Sequence, residues 1–217
     1  MRALDDRARA VGLTIRGALE GPVDGAPPGT RTLVLLGPDE PAFWAQFTAS
    51  DEYGDGAPHP LDRWSRRVIC DLASAEGGTA LFPFDGPPYA PFVSWALASG
   101  RAWISPVGPM VHDDAGLFIS YRGAIALPRA LPVPAPGRQP CTGCAAPCTT
   151  ACPVGALSAD HPYDVARCLD HITTDAGETC RSRGCLARRA CPTDTGFHRR
   201  AGQSAFHMDA FVKAHRP

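Results

Sequence analysis

The sequence predicts a mixed fold of helices and strands, α/β (α+β), followed by a small cysteine-rich module. Three features support this prediction. Short apolar runs alternate with amphipathic helical spacing over residues 1–127. Five prolines follow within residues 128–140, which favours extended backbone without regular structure. Eight of the nine cysteines lie between Cys141 and Cys191.

These features divide the chain into four parts. We predict an α/β domain at residues 1–127, a proline-rich linker at 128–140, a metal-binding module at 141–195 and a tail at 196–217. Within the first domain, the continuous apolar run at 32–36 ends at a Gly-Pro pair and predicts a buried strand.

Further elements follow from spacing along the chain. A helix is expected at 42–47, and apolar residues at intervals of three and four predict an amphipathic helix at 61–72. We also expect a strand at 79–83 and a short helix at 91–99. The segments 117–121 and 124–127 are predicted to be a strand or a hairpin, and residues 201–217 have helical spacing.

The composition is that of an ordinary globular protein. The 217 residues carry a net charge of −1, so neither nucleic acid nor a membrane surface is an expected partner. The N-terminus has no apolar stretch typical of a secretion signal, and no run reaches the roughly 20 apolar residues of a membrane span. We therefore expect a cytoplasmic protein, in which reduced thiols serve metal binding rather than disulfides.

The strongest motif is a run of four cysteines, Cys141, Cys144, Cys148 and Cys152, followed by Pro153. Its spacing is C-x2-C-x3-C-x3-C-P. Bacterial two-cluster ferredoxins have C-x2-C-x2-C-x3-C-P, and their fourth cysteine binds the other cluster. The small residues between the first cysteines let the backbone wrap a cluster closely. The run predicts an iron–sulfur site.

Four later cysteines complete a set of eight, enough for two clusters of the [4Fe–4S] type. We define a first quartet and a second quartet, each predicted to hold one cluster. The first quartet is Cys141, Cys144, Cys148 and Cys191. The second quartet is Cys152, Cys168, Cys180 and Cys185.

Two alternatives remain at this point. Four thiolates also suit zinc, although zinc sites usually combine two C-x2-C pairs and only one is present here. A single cluster is the other alternative, with some later cysteines serving as small buried residues. The ninth cysteine, Cys70, lies on the amphipathic helix and is expected to be a buried core thiol.

The cysteine module resembles the dicluster module of epoxyqueuosine reductase, a cobalamin-dependent iron–sulfur reductase related to reductive dehalogenases. The resemblance covers roughly residues 141–195. It rests on Cys141 to Pro153, Ala166-Arg167-Cys168, Gly184-Cys185 and Cys191-Pro192. It implies that Cys152 and Cys168 share the cluster nearer the corrinoid. The family ends this module with C-x2-C-x3-C-P; here Arg188 lies near the place of the central cysteine, and Cys180 is the expected substitute.

The N-terminal part resembles, through residues 32–38, 41–43 and 111–128, the cobalamin-binding domain of the same group and of CblC-type proteins. This implies a flavin-reductase-like α/β sandwich and cobalamin as a further cofactor. Several aromatic residues either line such a pocket or form the core. They are Trp64, Trp95, Trp103, Phe82 and Phe84.

Three functions are compatible with these patterns. The first is a redox protein that relays electrons from a partner protein or another low-potential donor to a bound or docked cofactor. The second is a corrinoid-dependent reductase enzyme, and the third is a structural zinc protein.

Two further features are ambiguous. His112 is either a general acid or part of a polar turn. Four arginines near the later cysteines either tune the potential of a cluster or form a solvated face. The arginines are Arg181, Arg183, Arg188 and Arg189.

Overall fold

The computed structural model describes residues 1–193 and 197–216. These residues form two compact units. Unit one comprises Met1–Ala102 and Ser120–Gly137, and unit two comprises residues 103–119 and 138 onward. Helices and strands are mixed along the chain, which confirms the predicted α+β class.

The predicted domain boundaries differ from the boundaries of these two units. Residues 103–119, which we assigned to the N-terminal domain, lie in unit two, whereas residues 128–137 of the predicted linker lie in unit one. The linker contains neither helix nor strand, as its prolines predict. Compactness does not show which segments fold independently, so the four-part division stays a prediction.

Among the described residues, six strands form two sheets. Four of them make an antiparallel sheet in the order β1-β2-β6-β3, and β4 pairs with β5. The strands are β1 (Leu13–Glu20), β2 (Thr32–Pro38), β3 (Thr79–Leu81), β4 (Ala102–Ile104), β5 (Met110–His112) and β6 (Gly123–Leu127).

The α-helices of the described residues range from four to 16 residues in length. None of these helices is both long and apolar enough to cross a membrane. They are α1 (Arg2–Ala10), α2 (Ala42–Thr48), α3 (Asp51–Gly54), α4 (Pro60–Ala75), α5 (Phe92–Ala98), α6 (Val165–Ile172), α7 (Glu178–Arg183), α8 (Leu186–Arg189) and α9 (Ala201–His215).

Strand β2 is the centre of unit one. Every residue of this strand is buried, because strands lie on both sides of it and helices cover the sheet. Val34 pairs with Ala18 of β1 on one side and with Ile125 of β6 on the other. The continuous apolar run that predicted this strand reflects that burial.

Helix α4 packs its apolar face on β3 and β6. Trp64 lies on that face, 3% exposed, with its ring centroid 5.4 Å from that of Phe43 and 5.9 Å from that of Phe47. Such edge-on aromatic pairs add about 0.5–1.5 kcal/mol each beyond the burial of apolar area. The predicted amphipathic helix is confirmed, and so are the predicted helices at α2, α5 and α9.

Two expectations were wrong. Residues 117–121 form turn and irregular backbone rather than a strand, although most of them are buried. An apolar run reports burial, and a buried loop gives the same signal as a strand. Cys70 is exposed on α4 rather than buried. The apolar stripe of this helix includes the preceding residue, Ile69, so Cys70 points to the solvent side.

The sequence did not predict α1 or β1. Strand β1 contains Arg16, whose guanidinium is buried and donates to the Pro38 carbonyl at 2.6 Å. A buried charged residue interrupts the apolar pattern by which a strand is recognised.

Candidate metal centres

The first quartet lines one cavity of unit two. All four of the sulfur-bearing residues that line this cavity come from the first quartet. Cys148 and Cys191 are buried, whereas Cys141 and Cys144 are half-buried. Apolar residues of unit two, Val107, Val111 and Leu117, pack against this group.

The loop that carries three of these thiols bends sharply at two points. Gly143 has a φ of +76°, a conformation that costs glycine little, and Ala146 has a φ of +51°. The left-handed Ala146 accommodates the extra residue between the second and third cysteines. Its N–H donates to the Cys144 sulfur at 3.3 Å, and a 3₁₀ turn, Pro147–Thr149, then presents Cys148.

Two of the thiols in this cavity, Cys141 and Cys148, resist ionisation. Burial raises the pKa of Cys141, and the neighbouring Cys144 and Cys191 raise it further. The pKa of Cys148 is also raised by burial and then by Cys191 and Cys141. All four thiols line the same cavity. A cation at their centre would remove the repulsion between the thiolates, because a bound metal inverts the local electrostatics.

Ser105 is an unexpected member of this cavity. It lies among the lining residues, is 6% exposed, and its buried Oγ has no hydrogen-bond partner among the residues that the structure describes. Its backbone is satisfied in a tight turn with Gly108 and Pro109. An orphaned buried hydroxyl costs about 1–3 kcal/mol. A sulfur-rich group in the cavity would offer this donor an acceptor, so the lining fits such a group.

The second quartet lines another cavity of unit two. Here the thiols come from separate segments of the chain, and two of them lie on helices. Cys168 lies on α6, which begins where the Asp164 carboxylate accepts the Arg167 N–H at 2.9 Å. Cys180 lies on α7, and Cys185 immediately precedes α8. Met208 of α9 also lines the cavity.

Several donors point at the sulfurs of the second quartet. The Ala156 N–H donates to Cys152 at 3.2 Å, and the Tyr163 hydroxyl donates to Cys168. Burial, and then the bond to Cys168, raise the pKa of Tyr163, so the phenol keeps its proton. Its ring stacks on Phe211 of α9 at 6.3 Å, which fixes the direction of the hydroxyl.

His171 lines the cavity of this quartet, and Arg188 of α8 is a charged residue near Cys185. Its backbone N–H donates to the Cys185 sulfur, and its partly buried side chain acts electrostatically on Cys185 and Tyr163. Burial lowers the pKa of Arg188, opposed by these two neighbours. Within residues 1–193 and 197–216, no carboxylate forms an ion pair with it. Burial also raises the pKa of Cys185, with the Arg188 N–H opposing the rise.

The other arginines near the cysteines are oriented elsewhere. Arg181 donates to the Ile172 carbonyl at 2.8 Å, and Arg183 and Arg189 are exposed. A solvated face is therefore the correct description of the last two. The Nδ1 atom of His112 accepts N–H groups of the following turn, from Asp114 at 3.1 Å, so this ring belongs to the polar turn.

The aromatic residues that we considered for a cofactor pocket are mostly core residues. Trp64, Trp95 and Phe82 are each at most 3% exposed. Trp103 belongs to unit two, where it packs against the apolar group around the first quartet. The core interpretation is confirmed for the first three.

A single metal ion is a separate question from a cluster. Among the described residues, no group of three or more His, Cys, Asp or Glu side chains is arranged to hold one metal ion. One zinc ion needs all its thiolates within about 2.3 Å of a single point. A cluster spreads its ligands over four irons, so it requires a wider arrangement. Metal ligation by the eight cysteines stays a prediction.

The spacing of the cysteines indicated the ligand type but not the residues around them. Ser105, Tyr163 and Met208 were not predicted as parts of the site. Ser105 precedes the cysteine run by a long stretch of chain, and a lone serine or tyrosine has no recognisable spacing. Arg188 was singled out, but only as one of four arginines.

These quartets define the class of site as a candidate metal centre built from eight thiols. One curated protein supports the kinship that the motif suggests. Over 88 residues, or 40% of this chain, the sequence is 32% identical to an epoxyqueuosine reductase from Yersinia pestis. The chain spans about a fifth of that protein's length, since the match covers 21% of it. No family model and no solved structure matches the chain.

Proposed function

We propose that this protein is an iron–sulfur electron-transfer protein with two [4Fe–4S] clusters, one on each cysteine quartet. It would relay single electrons from a low-potential donor or redox partner protein to a bound or docked cofactor. The observation that carries the proposal is the placement of the quartets in two separate cavities, with four thiols in each. The similarity to an epoxyqueuosine reductase supports an oxidoreductase role.

The chain contributes ligands, hydrogen-bond donors and an apolar lining. A bound cluster would supply reversible one-electron chemistry, with a potential set by charge, hydrogen bonds and burial. The backbone N–H groups of Ala146 and Ala156 are directed at quartet sulfurs, as cluster ligands require. Val107, Val111 and Leu117 form an apolar lining beside the buried thiols of the first quartet, Cys148 and Cys191. Unit two would thus be the two-cluster, ferredoxin-like module.

The reductase alternative deserves a direct test because of the curated relative. In that case unit one would be a flavin-reductase-like sandwich that binds cobalamin, and the protein would act on a substrate of its own. The antiparallel sheet of unit one is compatible with such a sandwich. The buried aromatic residues do not favour the pocket that we had considered, because their rings fill the core. We therefore place the electron relay first.

The deciding experiment is anaerobic purification followed by metal and sulfide analysis. Two clusters predict about eight irons and eight sulfides per chain, a brown colour bleached by dithionite, and a paramagnetic signal in the reduced protein. An iron content of about four per chain would mean that only one of the two quartets holds a cluster. A colourless protein with stoichiometric zinc would replace the proposal with a structural zinc protein.

Cobalamin binding separates the relay from the reductase. Cob(II)alamin is titrated anaerobically into the reduced protein while the cobalt spectrum is recorded. A shifted cobalt spectrum at micromolar concentration would favour the reductase. No change at tens of micromolar, with clusters present, would leave an electron-transfer protein with an accessory domain.

A further inference from the structure

One side chain from the turn between β4 and β5 lines the cavity of the first quartet and has no hydrogen-bond partner among the described residues. We propose that this side chain, the Ser105 hydroxyl, donates a hydrogen bond to the cluster held by the first quartet. The bond helps to retain that cluster and raises its reduction potential. This inference rests on the proposed two-cluster function.

The backbone of the turn fixes the position of Ser105. Its N–H donates to the Pro109 carbonyl, and its carbonyl accepts the Gly108 N–H, each at 3.1 Å. Gly108 has a φ of +95°, a conformation that costs glycine little, and the ring of Pro106 restricts φ within the turn. Because both backbone groups of Ser105 are used in the turn, its hydroxyl can be redirected only by rotation about one side-chain bond.

The segment that carries Ser105 forms one wall of the first cavity. Val111 and Leu117 of the same segment line this cavity as well. They belong to one buried cluster of side chains with Cys148 and Cys191. The segment precedes the cysteine run in the sequence and contains no cysteine of its own. Its contribution to the site is therefore an apolar wall with a single hydroxyl.

The Ser105 hydroxyl differs from other hydroxyls of the protein in lacking an acceptor. Ser65 of α4, which is also buried, donates to the Leu61 carbonyl at 2.7 Å. Thr193 lines the first cavity too, but it is only half-buried. Ser105 is 6% exposed, and within the described part of the chain its buried Oγ has no partner. Burial of a hydroxyl without a partner is unfavourable, so this donor is directed at a group that the cavity would hold.

A cluster is a suitable acceptor for this donor. Four thiols line the cavity, and among the described residues none of them accepts the Ser105 proton. A cluster brings further sulfur atoms into the space between its cysteine ligands, and hydrogen bonds to these sulfurs are one of the factors that set its potential. The structure therefore supplies a rigidly placed donor where such an acceptor would lie.

The redox step is a transfer of one electron, and no bond breaks and no proton moves. A low-potential one-electron donor is oxidised, and the cluster of the first quartet is reduced. The reduced cluster carries one more negative charge than the oxidised cluster, so a hydrogen bond to it becomes stronger on reduction. Removal of the Ser105 hydroxyl must then lower the potential of the first cluster.

The first test compares Ser105→Ala with Ser65→Ala in the intact, cluster-loaded protein. Both variants remove one buried hydroxyl, but Ser65 lies in unit one, outside both quartets. In redox titrations with spin-resonance detection, Ser105→Ala should lower the reduction equilibrium of one cluster about threefold, or by about 28 mV. That cluster should be the one that Cys144→Ser removes. Ser65→Ala should leave both potentials unchanged.

The second test records a signal that a purely structural serine does not produce. Cluster-loaded protein is prepared in H₂O and in D₂O, and electron–nuclear double resonance detects the exchangeable protons coupled to the reduced first cluster. Ser105→Ala should lose one of these couplings, and Ser105→Thr, which keeps a hydroxyl, should retain it. Either an unchanged set of couplings or an unchanged first-cluster potential in Ser105→Ala overturns the inference.

Loss of the first cluster from a variant is also an interpretable result. If Ser105→Ala does not retain that cluster, its retention in Ser105→Thr supports the hydroxyl as a donor. Loss from both variants overturns the inference, because a hydroxyl at this position then does not help to hold the cluster.

Failure of the proposed function looks different from failure of this inference. Wild-type protein with zinc, or without iron, contradicts the proposed function before any variant is made. Eight irons with no selective effect of Ser105→Ala would leave the two-cluster relay intact and remove only the role of this hydroxyl.

Discussion

The two cysteine quartets line separate cavities but are built in different ways. Three thiols of the first quartet come from one short loop, whereas the thiols of the second quartet come from a turn and from α6, α7 and the start of α8. The first cavity is lined by Ser105, whose neutral hydroxyl has no partner among the residues that the structure describes, whereas Tyr163 and Arg188 lie near Cys168 and Cys185 of the second quartet. The comparison teaches that similar ligand sets can receive different electrostatic surroundings from one small unit.

The two quartets also differ in whether neighbouring or distant parts of the chain position their thiols. A loop can position three thiols through its own turns, and it needs only Cys191 from elsewhere. The second quartet depends on helix packing, because α7 packs on α9 and Tyr163 is held by Phe211. Loss of tertiary structure should therefore affect the second site first.

The largest expected effect comes from Cys144→Ser. This change should remove the first cluster, lower the iron content from about eight to about four per chain, and lower the melting temperature of unit two, because metal binding contributes to folding in small modules. The matched control is Cys70→Ser, since Cys70 is an exposed thiol outside both quartets. The control should retain all iron. Full iron and unchanged melting in Cys144→Ser would disprove the ligand assignment.

Cys191→Ala tests whether the last cysteine belongs with the first quartet. Its sulfur lines the first cavity although α8, which precedes it, follows a ligand of the second. We expect loss of the cluster at Cys141, Cys144 and Cys148 and retention of the cluster beside Arg188. Iron analysis and the remaining spin-resonance signal report which cluster survives. Loss confined to the second cluster would reverse the assignment.

Tyr163→Phe should have a smaller and selective effect. The change removes the hydroxyl that donates to Cys168 and keeps the ring that stacks on Phe211. One hydrogen bond is worth about 1 kcal/mol, so the potential of the second cluster should fall by less than about 60 mV. Redox titration measures the shift. An equal fall of both potentials would show that the hydroxyl does not act on one cluster.

Ser105→Ala is expected to produce the smallest change, and in the other cluster. If the hydroxyl donates to a cluster sulfur, its removal lowers the potential of the first cluster slightly and leaves the second unchanged. In protein without clusters the same change should stabilise unit two, because it removes an unsatisfied buried hydroxyl. Redox titration of the cluster-loaded protein measures the expected fall in potential, and thermal melting of the cluster-free protein measures the expected gain in stability. If Ser105→Ala destabilises the cluster-free protein, the Ser105 hydroxyl is not an unsatisfied buried donor there.

Much of unit one could be predicted from apolar patterns. Strand β2 and helix α4 were recognised because continuous burial and a helical stripe leave clear signatures. Strand β1 was missed because Arg16 lies inside it, with a buried guanidinium that finds its acceptor on Pro38 of the neighbouring strand. Residues 117–121 were misassigned because buried loop and strand have the same composition.

The sequence by itself determined the chemistry of the candidate site. Thiol type, number and the spacing from Cys141 to Cys152 are written in adjacent residues, and small residues between them let the loop turn. Only the tertiary structure decided what faces those thiols. Ser105 lines the first cavity and the Tyr163 hydroxyl donates to Cys168 because distant segments of the chain pack together. Arg188 lies near Cys185, whereas Arg189 is exposed. The physical reason is that potential depends on charge and burial in space, which no local spacing encodes.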